Sequence, residues 1–189
     1  MNKSFEVAFF RVLVDLKFIP AEDAVKLLET FHESDSDQLN EFLLSEGIVN
    51  QDSLLEALSQ YYQVPSFDVE GYFFENHLVR MFPKGMLLKN EIIPLQVDEN
   101  IMIMIAANPD NPDLLFEIGE NVSYDIRFYV GIGLEICDAV KEFYDKADTE
   151  DEQDEDIRQE HLLMGEFLLI DDEDGEVLYR AENEEDSFE

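Results

Sequence analysis

Few residues in this chain combine the type and the spacing that bond-making chemistry needs. The three histidines, His32, His77 and His161, stand far apart, and none falls at ligand spacing from the lone Cys137, so no zinc site is expected. Asp171-Asp172-Glu173-Asp174-Gly175 has the composition of a calcium loop. With Gly175 at the sixth loop position, however, the first would be Ile170 and the twelfth Ala181, and that spacing excludes an EF-hand. No G-x-x-x-x-G-K-[ST] run is present, and the close glycines Gly131 and Gly133 lack the Lys and Ser/Thr that grip a phosphate. No Ser/His/Asp set or isolated carboxylate pair rises out of the acidic background. The expectation is a non-enzyme with no metal and no cofactor.

Charge narrows the partners. The 189 residues carry a formal charge of −34 and are 46% hydrophobic, enough apolar material for a core. From Asp148 to the end there are 19 acidic and 2 basic residues, whereas the first 147 carry 27 and 10. The body is moderately acidic and the tail is a charge block. Nucleic acid and anionic membranes are therefore not expected as partners, because binding phosphates needs a field of Lys and Arg. One cysteine cannot form an intramolecular disulfide, which favours a reducing cytoplasm. Val7 to Val14 is interrupted by Arg11 and does not read as a signal peptide, and no apolar run is long enough to span a bilayer.

The elements that would position any site are read from periodicity. Ile92 to Pro109 is the centre: Ile92-Ile93-Pro94-Leu95, a turn at Asp98-Glu99-Asn100, then the unbroken apolar run Ile101 to Ala106, a strand covered on both faces or central in its sheet. Ile103 and Ile105 are both expected to be almost fully buried. Before it, Phe5 to Phe18 and Pro20 to Phe31 show helical spacing, as do Gln38 to Gly47 and the stretch after Asn50. Gly47 suits a left-handed C-cap and Asn50 an N-cap. Leu13 to Ile19 aligns with Leu43 to Val49 at an offset of 30 residues, so two tandem helix pairs are expected to form a four-helix unit. Past the linker Val64-Pro65-Ser66-Phe67, a short helix is expected through Leu78, Val79 and Met81 to Pro83, with Leu87-Leu88 leading directly into the first strand. A helix from Asp113, a strand over Tyr124 to Val130 and a closing helix from Leu134 to Asp145 follow, with Cys137 a buried small hydrophobe on its inner face.

The expected class is thus α+β. Residues 1–64 form a helical repeat unit and residues 65–147 a small α+β unit with a three-stranded, mainly antiparallel sheet. Residues 148–189 are an acidic linker and a β-hairpin tail turning at Asp174-Gly175. In that hairpin Phe167, Leu169, Val177 and Tyr179 alternate as one apolar face, a candidate partner surface, expected to dock on the sheet edge or apolar patch of its own chain or of another.

Residues 72–144 resemble the second half of the N-terminal domain of type II secretion and type IV pilus assembly ATPases, a domain of the MshEN-like kind. The resemblance lies in Leu78-Val79-Arg80-Met81-Phe82-Pro83, Ile92-Ile93-Pro94-Leu95 and Ile103-Met104-Ile105-Ala106-Ala107-Asn108-Pro109-Asp110, in family order, while the repeats at 9–62 resemble the first half. It implies an accessory domain without the catalytic motor, acting as a cytoplasmic interaction or regulatory module. The implied partner is another protein, such as a secretion or pilus component, with self-association as a further option and no insertion into a membrane. In some relatives each repeat opens with Arg-Leu-Gly and receives cyclic di-GMP. Those positions here are Ala8-Phe9-Phe10 and Gln38-Leu39-Asn40, with only Gly47 left of the later glycines, so dinucleotide sensing is the weaker alternative.

Overall fold

Two matching turns fix the helical half of the molecule. In the first, Lys17 takes a left-handed conformation (φ 64°), and the amides of Phe18 and Ile19 both reach back to the Leu13 carbonyl, at 2.9 and 3.4 Å. In the second, Gly47 has φ 63°, and Ile48 and Val49 reach back to Leu43 at 3.0 and 3.3 Å. The repeat seen in the sequence is therefore a repeat of backbone geometry, a Schellman-type helix end that satisfies orphan carbonyls. Glycine adopts this conformation freely, whereas lysine meets its own Cβ there.

The computed structural model describes residues 3–34, 38–144, 167–170 and 177–181. Four helices open the chain: α1 Lys3–Asp15, α2 Ala21–Glu33, α3 Leu39–Ser45 and α4 Gln51–Tyr62. Asn50 caps α4, its side-chain oxygen accepting the Ser53 amide at 2.8 Å. Phe9, Leu13, Leu39, Leu43, Leu54 and Leu58 are fully buried in one cluster. Glu6 is buried beside them on α1 and meets His32 of α2 at 2.7 Å, giving the buried carboxylate a partner.

Two short helices, α5 Asn76–Val79 and α6 Lys84–Asn90, precede the sheet. α6 corrects the expectation that Leu87-Leu88 runs straight into a strand. Pro83 sits at its N-cap, pre-set at φ −60°, and Leu87 is driven into the core. The sheet is β1 Ile92–Asp98, β2 Ile101–Ala106 and β3 Asp125–Val130, in that order. β1 pairs antiparallel with β2 across a two-residue turn in which Glu99, rather than Asn100, is left-handed (φ 53°). β1 also carries Pro94 and a register irregularity between Pro94 and Gln96.

β3 pairs with β2 in parallel, so the sheet is mixed: only one of its two ladders is antiparallel. The reason is the connection. α7 Leu114–Gly119 carries the chain back to the starting end of β2 before β3 begins, and such a crossover yields a parallel neighbour. α8, residues 133–144, closes the unit.

Met102, Met104, Ile105 and Ala106 are fully buried, but Ile103 is only half-buried, against expectation. Ile105 lies under the start of α8, where a Cβ on Gly131 would stand 2.7 Å from its Cγ2. Ile103 lies two residues nearer the turn, where that cover runs out. Cys137 is likewise half-buried, its thiol pushed up by burial and then by Glu91. Beside it on α8, the Glu135 carboxyl is pushed up to about 7, by burial first and then by Asp68 and Glu70. Its Oε2 is enclosed without a hydrogen-bond partner.

Contacts gather Met1–Tyr144 into one compact unit and Asp145–Glu189 into another. In the second, β4 Phe167–Ile170 pairs antiparallel with β5 Val177–Ala181. Leu169 faces Tyr179 in the ladder and Phe167 faces Ala181, while Val177 pairs with Ile170 across a register shift. The acidic run 149–156, His161, the Asp174-Gly175 turn, and the side chains of the hairpin strands lie outside the described residues.

Four substitutions have expected outcomes. Lys17→Gly should raise the unfolding free energy by about 1 kcal/mol and Gly47→Lys should lower it by a similar amount, measured by urea denaturation. Ile105→Ala should cost about 2–5 kcal/mol in the same experiment. Glu135→Gln should raise the melting temperature at pH 8. A carboxyl whose folded pKa is raised holds its proton more tightly when folded, so stability falls as pH rises from 4.5 towards about 7. The gain should therefore shrink as the melt is repeated towards pH 5, and equal melting at pH 8 would contradict the assignment.

Candidate functional site

The repeat positions come first. Ala8, Phe9 and Phe10 lie in the middle of α1, while Gln38 is the N-cap of α3 and Leu39 and Asn40 are its first residues. Phe9, Phe10 and Leu39 are buried in the helical core, and Ala8, Gln38 and Asn40 are half-buried. None of the six is cationic, and the Asn40 Oδ1 is enclosed without a hydrogen-bond partner. Gly47, exposed, serves as the helix-ending residue described above. The arrangement packs two helices and presents no charge to a phosphate.

The Gly131-Ile132-Gly133 turn joins β3 to α8, the strand-to-helix setting in which glycines often cradle phosphates. Here the cradle is filled. A Cβ on Gly133 would stand 2.6 Å from Oε2 of Glu91, and one on Gly131 would strike Ile105. Burial, and then Glu41, push the Glu91 carboxyl up. Both glycines allow close packing, and the nearby acid disfavours an anion. Among the described residues, no three His, Cys, Asp or Glu side chains converge as metal ligands.

The feature that the sequence reading missed is a groove beside α7. Within Leu114-Leu115-Phe116-Glu117-Ile118, Leu114 and Ile118 are buried one turn apart, which turns Leu115 and Phe116 outward at 57% and 72% exposure. That pattern was available in the sequence, because five adjacent positions on one helix cannot all face the core. Phe116 borders one depression with Pro83 and Met86, and Met81 borders a second with Tyr124. Asn121 lines both, so the two, of about 520 and 570 Å³, adjoin. The spacing of α6 and α7 is fixed by Glu117, which accepts Lys89 Nζ at 2.8 Å and Asn90 Nδ2 at 2.7 Å. Those bonds hold its carboxyl below the usual range. Asp113, Glu117 and Glu120 supply the charge along this groove, and no Lys or Arg lines either depression.

Residues 62–150 match the MshEN domain family. The Type IV pilus assembly ATPase PilB of Myxococcus xanthus (strain DK1622) is 22% identical over 102 residues, which make up 54% of this chain but only 18% of that ATPase. Among solved structures, MshE with cdg superposes with a TM-score of 0.58 at 14% identity, covering 72% of this chain and 98% of that one. The N-terminal domain of XpsE gives 0.51 at 17% identity, over 76% and 99% of the two chains. Family match and fold agree over this stretch: residues 62–150 carry an MshEN-like domain, and the fold is similar to those of MshE and of the N-terminal domain of XpsE.

Proposed function

We propose that the chain is a non-catalytic, cytoplasmic regulatory module that binds another protein, a component of a secretion or pilus machine, and does not sense a nucleotide. The observation that carries this reading is the state of the repeat positions. Where a dinucleotide receptor needs arginine and glycine, this chain has Phe9, Phe10 and Leu39 buried in a core and no cation at any of the six sites. A dianionic ligand would also approach a protein of formal charge −34. The relatives support the class, since what they share with this chain is the N-terminal domain and not a motor. Among the described residues no helix is long and apolar enough to cross a membrane.

The second reading is cyclic di-GMP sensing, favoured by the likeness to the MshE structure solved with cdg. Isothermal titration of the full chain with cyclic di-GMP separates the two. The expected result is no binding heat through the micromolar range. A micromolar or tighter isotherm would overturn the proposal.

A further inference from the structure

We infer that the groove between the Met81–Met86 segment and α7 receives a basic amphipathic helix of a partner protein. This names the partner chemistry of the interaction module proposed above and rests on that reading.

Apolar surface comes from Met81, Pro83, Met86 and Phe116, with Phe116 at 72% and Met81 at 37% exposure. An exposed aromatic flanked by methionine and proline is the surface type that anchors a partner's aliphatic side chains. Around it the charged lining is acidic only: Asp113, Glu117 and Glu120. Glu117 is already paired with Lys89, which leaves the acids at the two ends of α7 to meet incoming cations. The walls are the side chains of α6, α7 and the adjoining turn, so recognition runs through side chains, the mode of a helix laid in a groove. The matching occupant carries apolar residues at i, i+3, i+4 and i+7 and Lys or Arg beside them. The charge argues against two other occupants. A second copy carries −34, and the chain's own stretch from Asp148 onward has 19 acids against 2 bases, so both would be repelled.

The test uses isotopically labelled full chain and a synthetic Leu/Lys peptide of about 14 residues, four helical turns, with leucine at the spacing above. Amide shift changes should centre on Met81, Phe116, Asn121 and Tyr124. Phe116→Ser should weaken binding by roughly tenfold or more, as expected of a central aromatic anchor, and its exposure makes it a variant that folds. Asp113→Lys with Glu120→Lys should weaken it comparably and flatten its salt dependence. Val25→Ser, at an exposed apolar site on α2, should leave binding unchanged. Shifts confined to the repeats or to β4 and β5 would overturn the groove while leaving the interaction-module reading standing. Unchanged affinity in Phe116→Ser, or equal binding of a peptide with Glu in place of Lys, would overturn it too. Failure of the module reading itself is registered separately, by the cyclic di-GMP titration.

Discussion

The residue that holds the first unit together is Val130. Its amide donates to the Pro65 carbonyl at 2.8 Å and its carbonyl accepts the Phe67 amide at 2.9 Å, so the segment leaving the helical repeats runs beside the end of β3. Its side chain, with that of Ile132, is buried among the helices and not within the core around the sheet. Two hydrophobic clusters that would otherwise be separate thus share a strand end. The requirement extends to the next residues. β3 must stop, pass through Gly131 and Gly133 without side chains, and turn into α8 against Ile105 and Glu91. A Cβ at Gly131 would press on Ile105 and Ile136 in the core, and one at Gly133 would displace the Glu91 carboxyl.

This constraint explains why a turn with the outline of a phosphate cradle is not one. Its free space is taken up by core packing and by the Glu91 carboxyl, and Glu135 at the start of α8 adds another acid, pushed up to about 7 by burial and then by Asp68 and Glu70. The acidic character seen in the composition therefore reaches partly buried positions. The same sign of charge edges the groove at α7, where apolar and acidic side chains lie within one depression.

Local signals were legible in the sequence. The four opening helices, the Asn50 cap, the left-handed Gly47 and the 30-residue repeat each depend on residues a few positions apart. α6 was hidden because Pro83 read as the stop of the preceding helix, although proline is well suited to the entry of the next one. The left-handed Lys17 could be found only by carrying the Gly47 geometry back along the repeat. The parallel pairing of β3 depends on a later crossover, and the partial exposure of Ile103 on how far the cover at the start of α8 reaches, which no single segment encodes. The groove falls between these cases. The outward turn of Phe116 follows from α7 alone, but the opposite wall comes from Met81 to Met86, some thirty residues earlier.

β1 is an outer strand of a small sheet, with Pro94 and a bulge within its length. A proline contributes no amide hydrogen, and a bulge twists a strand out of register with any flat neighbour. A strand from another molecule arriving at this edge would find an interrupted template. The sheet can thus keep a run such as Ile101 to Ala106, whose composition suits cross-β stacking, without that edge seeding growth. Its resistance to fibril formation would reside in one imino acid and one extra residue on the strand beside it.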